Sequence, residues 1–432
     1  MLDIQFIRQN PDKVKERSAQ KGYEVNVGSL LELDDQRRKL ISEIDDLRRQ
    51  RNAAAETVKG RKPSDEELAH GRELKDQLTL KETEFKRIDE DFTSQLKSVP
   101  NMPLDDVPVG ATEDDNQVAK TVNQPPQFGF QPKSHHDLGE SREFIDKVRA
   151  AKIAGSRFAY IKNDLVKLQF AIIAFVIDEL TNPDVLAKLI KDNNLKLEAR
   201  PFIPILPPAM LRTEPYQASA RLNAEEVTYK IEQDDLWLNA SAEHTLCTMY
   251  MDEIIPAEQL PLRFIGYSTS FRREAGTYGK DVEGILRMHQ FDKLEMEVLS
   301  TPETGLDEHK LMVAIQEHLV SALGLPYQVI RKCTADIGKP NATGVDINTW
   351  FPSQNTYRET HTADYMTDYQ SRDLKIRLKK ADGNLELIHT NDATAFALGR
   401  IMAAVMENFQ TEDGHVVIPD VLRPFLANKE QI

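Results

Sequence analysis

The sequence is poor in cysteine and contains no long apolar run. Its 432 residues include only two cysteines, Cys247 and Cys333, so a disulfide framework is not expected and a four-cysteine zinc site is excluded. No stretch is apolar enough to cross a bilayer, and the first residues, MLDIQFIRQNPDKVKERS, contain no signal-peptide core. We therefore expect no zinc, no membrane partner and a reducing, cytoplasmic location.

The chain also lacks an excess of positive charge. Its formal net charge is -15, so a nucleic acid could be bound only through a local basic patch and not by the whole surface. The hydrophobic content of 40% is enough for a real core, and the length allows two or three domains. These values permit a globular enzyme without identifying one.

Two long helices are predicted near the N-terminus. From about Leu30 to Val58, and again after a break at KGRKP, apolar residues repeat at heptad spacing. The first set comprises Leu33, Leu40, Ile44, Leu47, Ala54 and Val58, and the second comprises Leu74, Leu78, Phe85, Ile88 and Phe92. Ser64 and Glu67 form a capping-box pattern that begins the second helix. About 30 residues per helix, at ~1.5 Å each, predict an antiparallel coiled-coil hairpin roughly 45 Å long.

The first helix of this hairpin carries a concentration of basic residues. The candidates for contact with a nucleic-acid backbone are Arg37, Arg38, Arg48, Arg49 and Arg51. The many acidic residues nearby permit a second interpretation, in which the arginines form ion pairs on a solvated coiled-coil surface. The sequence pattern alone leaves both interpretations open.

The rest of the chain is organised differently. Residues 101–132 are rich in Pro, Asp and Asn, which is typical of an extended connector. Beyond them, one helix is predicted from Leu165 to Leu180, followed by strand candidates that succeed each other without regular helical crossovers. We therefore predict an N-terminal domain at 1–100, a connector at 101–132, and an α+β domain at 133–432 with an antiparallel β-sheet core flanked by helices.

Residues 271–291, FRREAGTYGKDVEGILRMHQF, are glycine-punctuated but do not form a phosphate-binding P-loop, because Asp281 follows Lys280 where Ser or Thr is required. Period-two alternation from Leu286 to Val298 predicts a strand instead. Its polar face would carry Arg287, His289, Phe291, Lys293 and Glu295, and its apolar face would carry Leu286, Met288, Leu294 and Met296.

With Phe271 and Arg273 on the preceding strand, this segment predicts a hairpin whose loop runs from Ala275 to Gly284. Arginine can neutralise phosphate, an aromatic ring can stack on a base, and a carboxylate can bind an ammonium or hydroxyl group. The polar face therefore suits a nucleoside triphosphate and a small zwitterion. A half-exposed hairpin with surface ion pairs remains the structural alternative.

Several segments, in order along the chain, resemble the class II aminoacyl-tRNA synthetases in the form used by seryl-tRNA synthetases. FRREAG with GILRMHQFDKLE resembles motif 2, TNDATAFALGRIMAAVMENFQ resembles motif 3, and FIPILPPAML resembles the end of motif 1. WLNASAEH is similar to the family's Thr-Ala-Glu loop, and TWFPSQNTYRETHTADYMTDYQSR is similar to its Glu-x-Ser-Ser segment. The helical hairpin stands where the family has its tRNA-binding arm.

The resemblance implies an ATP-dependent ligase that activates L-serine as seryl-adenylate and transfers it to the terminal adenosine of tRNA(Ser), with tRNA(Sec) an open second acceptor. It implies Arg272, Glu359 and Arg400 as catalytic residues and Glu359 with Thr362 as Mg²⁺ ligands. Arg272 would contact the α-phosphate, and Phe291 and Arg400 would enclose the adenine. The implied ATP-binding set is Arg272, Arg273, Glu274, Arg287, Met288, Phe291, Glu359, Thr360, His361, Thr362 and Arg400.

For the amino acid, the resemblance implies Glu295 and Thr394 as readers of the serine hydroxyl group. The full serine-binding set is Ser241, Ala242, Glu243, Arg272, Glu295, Asp392 and Thr394. Asp392 departs from the family's usual Asn, His361 stands where a second Ser is common, and Asp364-Tyr365 replaces Ser-Asn. These departures affect the serine contacts more than the adenylation chemistry.

The resemblance also implies a homodimer in which the arm of one subunit holds tRNA bound across the other, and this implication favours the tRNA interpretation of the arm's arginines. Two alternatives stay open at this stage. One is a ligase of the same fold that activates a small amino acid for a carrier protein, although such relatives typically lack the long arm. The other is a non-catalytic, synthetase-like tRNA-binding protein, which would have no need for the arginine and glutamate constellation.

Overall fold

The computed structural model describes residues 1–222, 228–274 and 284–432. It forms two compact units, Met1–Met102 and Pro103–Ile432. Most of the predicted loop from Ala275 to Gly284 lies outside the described residues. The domain bounds predicted from composition stay predictions. The boundary between the two units, after Met102, lies close to the predicted end of the N-terminal domain at residue 100.

The first unit is helical. Its helices are α1 (Ile4–Gln9), α2 (Pro11–Gln20), α3 (Val27–Thr57) and α4 (Asp65–Ser98). The predicted capping box is confirmed, since Glu67 donates its backbone N–H to the Ser64 hydroxyl at 3.2 Å and its carboxylate accepts from the Ser64 backbone at 2.8 Å. Because the exposed N–H groups at a helix start need partners, these bonds fix where α4 begins.

The heptad residues form the contact between α3 and α4. Leu40 and Ile44 are buried on α3, and Leu74, Leu78, Ile88 and Phe92 are buried on α4. The remaining predicted seam residues, Leu33, Leu47, Ala54, Val58 and Phe85, are half-buried. This confirms the hairpin, and it shows that the outer end, around Ala54 and Val58, contributes least apolar burial.

The second unit combines helices and strands. Its helices are α5 (His135–Ser141), α6 (Lys147–Ala154), α7 (Asp164–Thr181), α8 (Pro183–Asp192), α9 (Thr213–Ala218), α10 (Glu243–Leu246), α11 (Gly305–Ala322), α12 (Tyr369–Leu374) and α13 (Leu398–Asn408). Short 3₁₀ turns lie at Glu113–Asp115, Ala257–Gln259 and Asp420–Leu426. The described helices include none with the length and hydropathy of a membrane-spanning segment.

The strands form one large sheet and several small ones. They are β1 (Gln117–Val122), β2 (Ile145–Asp146), β3 (Tyr160–Ile161), β4 (Ile203–Ile205), β5 (Met210–Leu211), β6 (Lys230–Ile231), β7 (Leu236–Leu238), β8 (Ile254–Pro256), β9 (Leu262–Phe271), β10 (Gln290–Ser300), β11 (Tyr327–Arg331), β12 (Thr343–Phe351), β13 (Thr356–Thr367), β14 (Arg377–Lys379), β15 (Leu385–Leu387) and β16 (His389–Ala397). Within the described residues the large sheet has the order β1-β11-β12-β13-β16-β10-β9-β4. Its pairs are antiparallel except β4 with β9, so the predicted antiparallel core is confirmed. Strand β1 lies inside the predicted connector.

The hairpin that carries the arginine-rich stretch is confirmed, but its second strand begins later than predicted. Strands β9 and β10 pair from Phe271–Gln290 to Leu262–Leu299, whereas residues 286–289 form bends and irregular backbone. The alternation predicted for Leu286 to His289 is therefore wrong. Gly284 adopts φ +69°, and a side chain there would meet the His135 ring at 1.9 Å, so the chain needs glycine where it returns to the sheet.

One face of the sheet is covered by helices. Leu294, Met296 and Val298 of β10 are completely buried and belong to the same core cluster as residues of α7, α11 and α13. Since alternate residues of a strand point to opposite faces, Phe291, Lys293 and Glu295 are directed to the other face. That face carries a cavity lined by charged side chains.

Candidate active site

A cavity of about 560 Å³ opens on the opposite face of the sheet. Its walls come from β10, β12, β13 and β16, from the segment after β9, and from the start of α13. The size falls in the range that binds small ligands and cofactors. Both cationic and anionic side chains line the cavity. Although the whole chain has a net negative charge, the cavity therefore contains positive side chains that could bind an anionic ligand.

Arginines dominate one side of this cavity. The Arg272 guanidinium lies 5.3 Å from the centroid of the Phe291 ring, and its Nε donates to the Ala240 carbonyl at 3.2 Å. Arg287 forms an ion pair with Glu274 at 2.7 Å. Such guanidinium forks match the geometry of phosphate oxygens.

Arg400 and Glu359 form an ion pair at the mouth of the cavity. Their charged atoms are 2.8 Å apart, and half of the Glu359 side chain (51%) is exposed. Desolvation opposes ionisation of Glu359, but the charges of Arg400 and Lys332 outweigh it and lower the pKa of this carboxyl. Glu359 is thus ionised at neutral pH and accessible to a ligand.

A second acidic group lies on β12 and β13 beside Glu359. Lys332 is largely buried, with 11% of its side chain exposed, and its Nζ lies 3.7 Å from oxygens of Asp346 and of Asp364. It is also 3.5 Å from the Thr362 hydroxyl. Burial and the neighbouring Glu359 raise the pKa of Asp346 to about 7, although Lys332 opposes this shift.

The opposite side of the cavity is built around Glu295. Its side chain is fully buried, forms an ion pair with Lys293, and accepts a hydrogen bond from the Ser241 hydroxyl at 3.1 Å. Burial raises the pKa of Glu295 to about 7, while the Lys293 charge works against this rise. This carboxyl can therefore change protonation near neutral pH.

Glu243 and Asp392 face each other across one arginine. Arg221 Nε lies 3.0 Å from Glu243 Oε1, and Arg221 Nη2 lies 2.5 Å from Asp392 Oδ2. Burial disfavours the charge of Glu243, but Arg221 and His244 overcome this effect and hold its pKa well below the usual range. Oxygens of Glu243, Glu295 and Asp392 come within 4.8 Å of one another, which is close enough to bind one small cation together.

Most, but not all, of the predicted site residues line this cavity. The structure brings Glu243, Asp392 and Thr394 to the same cavity as Arg272, Glu274, Arg287, Met288, Phe291, Glu359, Thr360, Thr362 and Arg400. Ser241, Ala242 and Glu295 are buried directly behind this lining. Among the described lining residues Arg273 and His361 do not occur, so their assignment to ATP stays a prediction. His361 is buried against Phe396 and bonds to Thr360 at 2.8 Å.

Sequence reasoning missed several charged residues of the site. Lys293 was placed on the polar face of its strand but given no role. On β12, Asp346 and Asn348 alternate with the apolar Val345 and Ile347, and that alternation could have identified Asp346. No sequence pattern identifies Arg221 as a site residue, because it follows a short helix and is 171 residues away from its partner Asp392 in sequence.

The basic residues of the arm are largely paired. Arg37 forms an ion pair with Asp89 and lies 5.0 Å from the centroid of the Phe92 ring. Arg48 pairs with Glu82 at 2.8 Å, and Arg38 approaches Asp35 at 3.8 Å. Arg49 pairs with Asp46, while Arg51 Nη2 reaches the Asn52 side chain at 3.5 Å. Because exposed pairs of this kind are weak, they can exchange for phosphate contacts.

Comparison with known proteins gives concordant matches over both units. Residues 1–103 match the family model "Seryl-tRNA synthetase N-terminal domain", and residues 228–409 match "tRNA synthetase class II core domain (G, H, P, S and T)". A curated relative named "Serine--tRNA ligase" from Geobacillus sp. (strain WCH70) is 39% identical with complete coverage of both chains. A relative of the same name from Geobacter sulfurreducens is 35% identical, also with complete coverage of both.

Solved structures agree with these matches. Seryl-tRNA synthetase from Pyrococcus horikoshii, complexed with ATP, is similar with a TM-score of 0.88, 35% identity, and coverage of 100% of this chain and 99% of that one. Cytoplasmic serine-tRNA ligase from Naegleria fowleri, in complex with AMP, has a TM-score of 0.84, 25% identity, and coverage of 100% and 98%. The likeness therefore extends through both units of the chain.

Proposed function

The chain belongs to the seryl-tRNA synthetase family, the serine–tRNA ligases, and from this premise we propose which of its residues carry out each step. The enzyme activates serine with ATP and charges tRNA with the product. The observation that carries the residue assignment is one cavity that collects Arg272, Glu359 and Arg400 beside Glu243 and Thr394. A nucleotide and an amino acid can meet in such a space.

Serine would bind at the Glu243 and Glu295 side. Its ammonium group would be held by the ionised Glu243 carboxylate, and its hydroxyl group by Glu295 and Thr394. A hydroxyl partner that is buried penalises alanine, because its polar atoms would be left unpaired, and the limited volume works against threonine. Ser241 would hold Glu295 in place through its 3.1 Å hydrogen bond.

ATP would bind along the arginine side. Arg272 would contact both the α-phosphate and the serine carboxylate, so that the carboxylate oxygen attacks phosphorus without charge repulsion and pyrophosphate leaves. Phe291 would stack on the adenine with Arg400 on its other face, and Arg287 would reach the γ-phosphate side. In the structure Arg272 lies over the Phe291 ring, so the base would displace this contact when it binds.

The residues around Glu359 fit a magnesium ion. Glu359 and Thr362 provide hard oxygen ligands on one strand, and Asp346 Oδ1, which is buried beside them, accepts no hydrogen bond from the described residues. The ion would supply charge neutralisation for the phosphate oxygens. Lys332 would limit the negative charge of this cluster when ATP is absent.

Transfer to tRNA would depend on the arm and on a second copy of the chain. We propose that Arg37, Arg38, Arg48, Arg49 and Arg51 contact the backbone of tRNA(Ser). A homodimer is supported by the edge strand β4, where Ile203 and the following Leu206 are 49% and 81% exposed, since an open apolar edge tends to pair. The cytoplasm is the proposed location.

The test of the activation step is ATP–pyrophosphate exchange with Mg²⁺ in the absence of tRNA, comparing serine with alanine, glycine, threonine and cysteine. We expect strong exchange with serine only. Exchange with a different amino acid, or none at all, would overturn the assignment of the pocket. Omission of Mg²⁺ and titration with Mn²⁺ test the proposed ligands Glu359 and Thr362.

A further inference from the structure

Arg221 is the cation that connects the two carboxylates of the amino-acid pocket. It follows α9, lines the cavity, and is only 11% exposed. Its Nε and Nη2 contact Glu243 and Asp392 at 3.0 and 2.5 Å. A further contact at 4.0 Å joins Nη2 to the Met366 sulfur. The side chain is thus fixed on three sides inside the pocket.

The sheet beneath Arg221 carries a row of carboxyl groups. Asp392 on β16 is the register partner of Glu297 on β10 and of Asp364 on β13. Glu297 is completely buried, and among the described residues neither of its oxygens has a hydrogen-bond partner. Burial and the nearby Asp392 raise its pKa well above the usual range, so this row carries less negative charge than its composition suggests.

Among the described residues, no other cationic side chain contacts both Glu243 and Asp392, although His244 Nε2 lies 3.2 Å from Glu243 Oε1. Lys293 pairs with Glu295, and Lys332 lies 3.7 Å from Asp364. Arg221 is therefore the cation that connects Glu243 and Asp392. Burial and the neighbouring Glu243 raise the pKa of Asp392 well above its usual range, whereas Arg221 lowers it. Without the arginine, both carboxyl groups would lose the cation that favours their ionised forms, because leaving buried charges unpaired is costly.

We propose that Arg221 is a specificity-determining residue, whose charge makes the pocket suit an amino acid with one ammonium group and reject one with two. The proposal rests on the proposed serine function. Its most informative ligand is L-2,3-diaminopropionate, which has the shape of serine but carries an amino group in place of the hydroxyl. In the protonated form, its second ammonium would take the place of the serine hydroxyl beside Glu295, whose carboxyl oxygens come within 4.8 Å of those of Glu243 and Asp392. In the native pocket Arg221 already neutralises Glu243 and Asp392, whereas in a variant that lacks the arginine these carboxyl groups would attract the second ammonium.

The experiment compares ATP–pyrophosphate exchange with serine and with L-2,3-diaminopropionate. The proteins are the full-length native chain, Arg221→Gln, Arg221→Lys, Asp392→Asn, and the double variant Arg221→Gln/Asp392→Asn. Arg212→Gln is the matched control, because Arg212 is exposed in the same segment and does not line the cavity. Thermal unfolding of each variant separates loss of folding from loss of specificity.

For Arg221→Gln we expect KM for serine to rise about tenfold or more, and the kcat/KM ratio of serine to diaminopropionate to fall by at least about the same factor. Arg221→Lys should keep most of the native preference. The double variant should regain part of the preference for serine, because Asp392→Asn removes a carboxyl group that Arg221→Gln leaves without its cation. The effects of the two substitutions on the kcat/KM ratio should therefore be non-additive.

The proposal is overturned if Arg221→Gln lowers kcat for both amino acids while leaving their ratio unchanged, since that result indicates a structural role. It is also overturned if the effects of the two substitutions on the kcat/KM ratio are simply additive, so that the double variant regains none of the preference for serine. Failure of the native protein to exchange with serine would instead contradict the proposed function. If Arg221→Gln does not fold, Arg221→Lys and the double variant decide the question.

Discussion

At the scale of single residues, Arg272 joins the two halves of the cavity. It lies against Phe291 on the proposed ATP side, and the Ala240 carbonyl, which accepts its Nε–H, directly precedes Ser241 on the proposed serine side. We expect Arg272→Ala to lower kcat for adenylation by about 10²–10³-fold, because the charge developing on the phosphate loses its fork-shaped partner. Single-turnover formation of seryl-adenylate measures this directly.

Arg273 offers the neighbouring comparison. Its side chain is not among the described residues that line the cavity, so Arg273→Ala is expected to lose clearly less activity than Arg272→Ala. Equal losses in the two variants would show that the phosphate contact is not specific to Arg272.

Glu295 should make serine binding depend on pH. Burial raises its pKa to about 7, so the protonated form dominates below that pH and the ionised, acceptor-only form above it. We expect KM for serine to fall as pH rises between about 6 and 8, because the ionised carboxylate accepts the serine hydroxyl proton more strongly.

The matched variant is Glu295→Gln, which keeps the shape but cannot ionise. Its KM should be higher and show no inflection near pH 7. An inflection that persists in this variant would contradict the assignment and point to Asp346, whose pKa is also raised to about 7 by burial. The raised pKa also means that the folded state holds the Glu295 proton more tightly than the unfolded chain does. The stabilisation that the protonated carboxyl gives is therefore present at low pH and is lost as pH rises through about 7.

At the scale of elements, heptad spacing and a capping box were enough to predict α3 and α4, because both signals are local. The irregular segment at residues 286–289 was not predicted, since alternation of polar and apolar residues also continues through short irregular segments. The pairing of Arg221 with Asp392 was equally out of reach, because it depends on the packing of a loop against a distant strand. Local periodicity thus identifies elements but not the long-range contacts that complete the site.

The arm yields a prediction about tRNA. Replacing Arg48, Arg49 and Arg51 by glutamine should raise KM for tRNA and leave serine-dependent pyrophosphate exchange unchanged. Each lost phosphate contact should reduce the slope of log affinity against log salt by about 0.7–0.9. Arg72→Gln/Lys86→Gln/Arg87→Gln on α4, all three exposed, is the control that removes the same number of positive charges. Equal effects of the two sets would show that only overall charge matters.

At the scale of the whole molecule, the proposed homodimer can be tested at the sheet edge. Each chain has a mass of 49.1 kDa, so light scattering should give about twice this value. Ile203→Glu/Leu206→Glu should shift the mass toward one chain, because charges on an exposed apolar edge oppose association. Val109→Glu, at an apolar residue that is 63% exposed elsewhere, should leave it unchanged; an unchanged mass in both variants would exclude β4 as the interface.

The whole-chain assignment came from the order of several motifs, whereas the charge balance of the pocket required the three-dimensional structure. Asp392 was recognised in sequence as a departure from the family's usual residue, but its arginine partner was not. Substitutions at distant positions can compensate each other only after folding brings them together. For this reason sequence gives the reaction more readily than the details of substrate selection.

The most direct test of the central claim is the transfer of radiolabelled serine to tRNA by the full-length protein with ATP and Mg²⁺. We predict serine-specific charging of tRNA(Ser), its loss in Arg272→Ala, and weakened tRNA binding in the arm variant of Arg48, Arg49 and Arg51. Charging with another amino acid in preference to serine, or seryl-adenylate formation without any transfer to tRNA, would contradict the account.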